Sequence, residues 1–232
     1  IETVVQLEPD LVIVPVRMKE YIEKLEEQGI AVIAFGPEDL DSLADAFLLM
    51  GEAIGAKEKG QELAEYYQQK VSQVKEVAAK TEEPLRVYLA GKDLLRTCTR
   101  EMYQHTIISL AGGDNVSGEI ETGYWANVSL EQVLKWDPEV ILLVEYGDSV
   151  PEELGRDPKW QGVAAVKNNQ VYRFPSVIEP WDTPGPAAVL GILWLSHILQ
   201  PDSYSQTELE QDAQYFYQHF YNANIPIEDF AL

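Results

Sequence analysis

Apolar positions along the chain fall into two kinds of run. Short unbroken runs at 11–14, 31–35, 85–90, 140–144 and 171–174 are rich in β-branched residues and bounded by Pro, Gly or charge, which predicts buried strands. Runs with apolar residues every three or four positions, at 102–111, 129–136, 184–199 and 207–221, predict helices. Between the second and third strands, Asp41 to Lys80 is rich in Ala, Leu, Glu, Lys and Gln, with no Pro and with Gly only at Gly51, Gly55 and Gly60. It reads as a long helix broken or bent near Gly55, whose second part spans about 30 Å as a stiff strut between two lobes and leaves little hinge motion. Strands alternating with helices imply a parallel or mostly parallel α/β sheet covered by helices.

The pattern also repeats. Glu2-Thr-Val-Val-Gln-Leu-Glu-Pro9-Asp leads into Leu11-Val-Ile-Val14, and Glu131-Gln-Val-Leu-Lys-Trp-Asp-Pro138-Glu leads into Val140-Ile-Leu-Leu-Val144. Glu2 aligns with Glu131, Val4 with Val133 and Pro9 with Pro138, and each unit continues to a second strand ending in an aromatic and a Pro turn, at Pro37 and Pro175. This suggests an internal duplication, although helix-Pro-strand joints also arise singly in α/β proteins. The resulting organisation is a partial N-terminal lobe at 1–55, a connecting helix at 56–83 and a C-terminal α/β lobe at 84–232. Two strands cannot bury a doubly covered sheet, so the first lobe reads as incomplete and its open edge invites self-association. The chain opens on Ile1, inside an apolar-periodic run with no visible targeting segment, and reads as a fragment.

Composition narrows the function. With Lys+Arg 17 against Asp+Glu 39 the net charge is −22, a field that repels nucleic acid and anionic lipid surfaces. The most apolar stretch, 186–199, is too short for a bilayer and contains Ser196 and His197. The single cysteine, Cys98, excludes an internal disulfide and a multi-cysteine zinc site.

Seven segments in order resemble the substrate-binding proteins of ABC importers for iron complexes, haem and cobalamin. They are the stretch at 2–13, Gly29-Ile-Ala-Val32, Ala111-Gly-Gly-Asp-Asn-Val116, Val128-Ser-Leu-Glu-Gln-Val-Leu134, Asp137-Pro-Glu-Val-Ile141, Ala165-Val-Lys-Asn-Asn-Gln-Val-Tyr172, and Trp181-Asp-Thr-Pro-Gly-Pro186 running into Leu193-Trp-Leu195. The resemblance implies two Rossmann-like lobes joined by one long helix and cargo held between them. It further implies an extracytoplasmic location, periplasmic or lipid-anchored as a lipoprotein, and docking to the permease through Glu2 and Glu131.

Candidate chemistry concentrates in Arg96-Thr97-Cys98-Thr99-Arg100-Glu-Met-Tyr103-Gln-His105, which follows the first strand of the second lobe. Ligands in open α/β sheets sit beyond strand carboxyl ends, and two arginines with hydroxyls suit an anion. The competing account is a solvated loop whose arginines pair with the chain's own acids. Tyr124 and Trp125, and Trp181 with Asp182, offer flat walls and hydrogen-bond donors to a chelate or macrocycle, or else core packing. Arg17, beyond the first strand, is the first-lobe candidate. Of the three histidines, His197 and His219 read as structural; Trp136, Trp160 and Trp194 read as packing, and Cys98 as inert. No phosphate loop, nucleophile elbow or His-Glu-x-x-His pattern is present, and too few imidazoles exist for a bare-metal cage. The expectation is therefore a non-enzymatic receptor without an intrinsic cofactor. Its expected cargo is a ferric siderophore, haem or similar chelate first, and an oxyanion such as molybdate or tungstate second. The alternative is a two-lobed metallocofactor enzyme or chelatase subunit.

Overall fold

The computed structural model describes residues 1–36, 40–121 and 123–230, the side chains of Arg17, Leu40, Asp41 and Asp229 excepted. The first lobe runs through α1 (Glu2–Gln6), β1 (Leu11–Pro15), a 3₁₀ segment (Val16–Tyr21), α2 (Ile22–Glu26) and β2 (Ala31–Phe35). β1 and β2 pair in parallel, from Leu11 opposite Ala31 to Pro15 opposite Phe35. Pro37, expected to close the turn after β2, lies outside the described residues.

The long helical stretch is two helices, α3 (Leu40–Ala53) and α4 (Lys57–Ala78). Gly55 sits at φ +73°, and Ala56 N–H closes back on the Gly51 carbonyl at 2.7 Å, the left-handed stop that glycine adopts without strain. The helices then cross at contact distance: a Cβ on Gly60 would lie 2.6 Å from the Phe47 carbonyl oxygen. α4 is not a free strut. Its stripe Gly60, Ala64, Tyr67, Val71 and Val74 is buried, because the 3-4 spacing puts these residues on one face, which packs on α3 at Gly60 and on the second lobe from Tyr67 onward.

The second lobe follows as β3 (Arg86–Ala90), β4 (Arg96–Cys98), α5 (Tyr103–Leu110), β5 (Asp114–Asn115), β6 (Trp125–Asn127), α6 (Leu130–Trp136) and β7 (Val140–Leu143). Then come α7 (Pro151–Arg156), α8 (Ala164–Lys167), β8 (Val171–Arg173), α9 (Ala188–Leu199) and α10 (Gln206–Tyr221). The sheet order is β6-β4-β3-β7-β8, with β5 beside the start of β3. β3 pairs in parallel with β5 and β7, and β7 with β8, as the alternation predicts; β4 is antiparallel to both its neighbours. This reversal places 96–98, part of a solvated loop in the competing account, in a strand. Gly91 N–H donates to the Arg96 carbonyl at 2.6 Å, so the chain turns directly back along β3.

Alternate strand residues point to two cores. Val87, Leu89, Val140 and Leu142 meet α4, α5, α9 and α10, while Tyr88, Ala90, Ile141 and Leu143 meet α6, α7 and α8. The end of α4 touches the start of β3: Ala78 contacts Gly112, just ahead of β5. With 22 residues, α4 carries its other end about 30 Å away, so the carboxyl ends of β3, β7 and β8 face the first lobe.

Candidate solute-binding crevice

Beyond those carboxyl ends, the turn between β3 and β4 and the segment after β7 form one side of a candidate crevice. Gly91 has no side chain, and the Trp125 ring fills its place: a Cβ there would lie 2.7 Å from Cζ3 of the indole. Arg96 and Cys98 share one face of β4, and Trp125 pairs opposite Cys98, so the Arg96 guanidinium lies over the Trp125 ring at 5.6 Å. Among the described residues no carboxylate pairs with Arg96. In a chain of net charge −22 that is informative, because its donors stay available to a ligand.

The segment after β7 is held from beneath. Arg173, ending β8, donates to the carbonyls of Glu145 and Gly147. Glu145 N–H in turn donates to Asp182 Oδ2 at 3.4 Å. Tyr146 lies between, 47% exposed, its hydroxyl pKa raised by burial and by the Asp182 charge, with Arg96 opposing. Asp182 is fully buried and its Oδ1 has no partner among the described residues, so burial pushes its carboxyl up to about 6. The same residue's carbonyl accepts from Gln104 Nε2 on α5 at 2.8 Å.

The structure separates the candidate residues. Thr97 donates to the Leu89 carbonyl at 2.7 Å and lies 2.9 Å from Ser117 Oγ, fully buried. Thr99, also buried, donates to the Gly123 carbonyl, and the Tyr103 hydroxyl lies 3.2 Å from that of Tyr67 on α4. Arg100 turns away, donating to the Gly118 carbonyl at 3.0 Å and pairing with Glu121 at 3.5 Å. His105 Nδ1 lies 3.1 Å from Asn115 Nδ2, and its pKa is lowered by burial and by Arg100. The donor-rich segment is therefore not one pocket, because β-strand alternation and internal hydrogen bonds divide it.

Trp181 is not a wall of the crevice either. It is fully buried and donates from Nε1 to the Tyr217 hydroxyl at 2.8 Å. Gly191 explains the burial, since a Cβ there would come within 2.0 Å of the Trp181 carbonyl oxygen; α9 and the 181–182 corner are in direct backbone contact. Tyr124 is 49% exposed beside Trp125. The Arg17 side chain lies outside the described residues. Glu2 and Glu131 stand exposed in the first turns of α1 and α6, and main-chain and Ser129 hydrogen bonds lower the Glu131 pKa. A separate cavity of about 620 Å³ lies between the lobes near α4, lined by Phe35, Phe47, Met50 and Tyr221. It is apolar apart from Lys59 and Glu179, and Glu179 already accepts from Tyr221 and Ala187 N–H.

The family described as periplasmic binding protein matches residues 1–178. The chain belongs to that family. It is 29% identical over 249 residues to the molybdate-binding protein MolA of Haemophilus influenzae, covering 97% of this chain and 70% of that protein. To the Fe(3+)-citrate-binding protein YfmC of Bacillus subtilis it is 26% identical, covering 74% of this chain and 55% of that protein. Among solved structures, a periplasmic solute-binding protein from Veillonella parvula superposes with a TM-score of 0.86 at 26% identity, covering 98% of this chain and 70% of that one. MolA with bound molybdate superposes at 0.85 with 25% identity, covering 97% and 76%. These solved structures are two-lobed solute-binding proteins, which is the fold class the resemblance implied.

Sequence reasoning missed Gly91, Glu145, Tyr146 and Arg173. Each lies at or just past the end of a recognised strand run, so the carboxyl-end rule, applied to every strand and not only the first, points to them.

Proposed function

We propose that this chain captures an anionic, metal-containing solute in the crevice between its lobes and passes it to the permease of an ABC importer outside the cytoplasm, without catalysis. The observation that supports this is Arg96, without a carboxylate partner among the described residues, laid on Trp125 at the strand ends facing the first lobe. A compact oxyanion of the molybdate type fits best. Burial of Trp181 leaves a single indole, Trp125, beside the tyrosines and cations, too few flat walls for a macrocycle. The resemblance to MolA over 97% of this chain points the same way. Glu2 and Glu131, one exposed carboxylate on each lobe, are the permease-docking pair. The two-stranded first-lobe sheet is the surface through which copies of the chain associate.

Tryptophan fluorescence of the full-length protein, titrated with molybdate, tungstate and ferric citrate, tests the cargo. Saturable quenching by molybdate that disappears in Arg96→Ala is the expected result. Tight binding of ferric citrate alone would replace the oxyanion reading, and no response to any of the three would remove the anion reading altogether.

A further inference from the structure

Asp182 stands out among the groups that the binding site does not use. Of the polar side-chain atoms that are both buried and without a partner among the described residues, its Oδ1 is the one belonging to a carboxylic acid. No cation pairs with it among the described residues. The groups facing it are Glu145 after β7, whose amide bonds Oδ2 while its carboxylate adds repulsion, the buried Tyr103 on α5, and Tyr146 at the crevice. The two nearby guanidiniums act indirectly: Arg96 lies on Trp125, and Arg173 holds the carbonyls of Glu145 and Gly147.

Asp182 and Arg96 both act on the Tyr146 hydroxyl, so a carboxylate in this position repels any anion seated against Arg96 and Tyr146. Two like charges there raise each other's energy, and the aspartate relieves the repulsion by taking a proton. We infer that Asp182 makes solute capture proton-linked: the crevice binds an anion together with one proton, which the buried Oδ1 of Asp182 accepts. This rests on the anion reading above and adds to it that the solute is held most tightly in an acidic medium and loosened as pH rises. The direction agrees with burial already pushing the free carboxyl up to about 6. A bound anion pushes it further, and between the two values affinity falls by up to about tenfold per pH unit.

Two measurements on the full-length protein test this. Calorimetric titration with molybdate at pH 6 and pH 8, and at pH 7 in two buffers of different ionisation enthalpy, should show about fivefold to tenfold tighter binding at pH 6 than at pH 8 and an uptake of roughly half a proton per anion at pH 7. In Asp182→Asn, affinity should be the same at both pH values and proton uptake should vanish. A slope that survives in the variant belongs to another group, such as His105, and overturns the proposal. Carbon-detected NMR titration of the Asp182 carboxyl in the solute-free protein needs neither the variant nor the solute. A midpoint near the ordinary carboxylate value overturns proton linkage whether or not an anion binds. A raised midpoint with no binding of any anion leaves Asp182 titrating in an empty crevice; it removes the anion reading and, with it, this one.

Discussion

Glu8 and Asp137 occupy the same left-handed backbone state, φ 48° and 44°, each directly before a proline that opens a strand. The matched sequence units therefore match in backbone. In both, a short helix stops at a left-handed residue and Pro turns the chain into a strand paired in parallel with the strand that follows, β1 with β2 and β7 with β8. The two left-handed residues differ in their partners. Asp137 Oδ1 accepts Ala164 N–H at 2.9 Å, and its carbonyl holds Arg86 at 3.0 and 3.1 Å. Glu8 is exposed.

Glycine at position 8 should therefore stabilise the protein by up to about 1 kcal/mol, since left-handed strain of about 1–2 kcal/mol is relieved against the lost backbone restriction. Asp137→Ala should cost about 2 kcal/mol, because Ala164 N–H loses its acceptor while the strain stays. Urea unfolding of both variants checks the opposite signs.

Gly91→Ala should disturb the crevice more than the fold. The new methyl would lie 2.7 Å from the Trp125 ring and 3.0 Å from the Arg96 carbonyl oxygen, so the half-exposed indole has to move. The near-UV circular dichroism of the tryptophans should change and molybdate affinity should fall at least tenfold, with the unfolding midpoint little altered. An unchanged near-UV spectrum with full affinity would place the solute elsewhere.

Trp181→Phe should do the reverse. It removes a buried donor and leaves the Tyr217 hydroxyl without its indole partner, at a cost of about 1–3 kcal/mol, but touches no solute. Thermal unfolding should shift downward while affinity holds.

Asp182 also predicts a pH dependence of stability. Its folded carboxyl is raised from 3.8 to about 6, so the folded state binds the proton more tightly than the unfolded chain. The resulting penalty is absent below about pH 4, develops between pH 4 and 6, and is complete above 6, where two pKa units correspond to about 3 kcal/mol. Asp182→Asn should thus stabilise the protein at pH 8, less whatever the weakened Glu145 bond removes, and should give no gain at pH 4. Chemical denaturation of both proteins across that range reads the difference.

Cys98 should resist thiol reagents in the native state. It is fully buried, and burial pushes its thiol up to about 12. Reaction with Ellman's reagent should appear only on addition of denaturant.

The sequence by itself marked five of the strands, β1, β2, β3, β7 and β8, together with the break at Gly55 and the duplicated helix-Pro-strand units, because these depend on local periodicity and on residues such as Gly and Pro whose backbone preferences travel with them. The two-lobed family came from the resemblance of seven ordered segments. Tertiary structure alone decided which side chains reach the crevice. Thr97 and Thr99 are close in sequence to Arg96, yet β4 folds back antiparallel on β3 and commits their hydroxyls internally. Trp181 carries the same indole as Trp125, but the glycine at 191 draws it under α9, while the glycine at 91 leaves Trp125 lying beneath Arg96. Charge state followed the same division: no neighbour in sequence distinguishes Asp182 from an ordinary acid, and it is burial in the fold, with repulsion from Glu145 added, that raises its proton affinity. Burial and pairing are sums over residues distant in the chain, and that is why pattern reaches the fold but not the site.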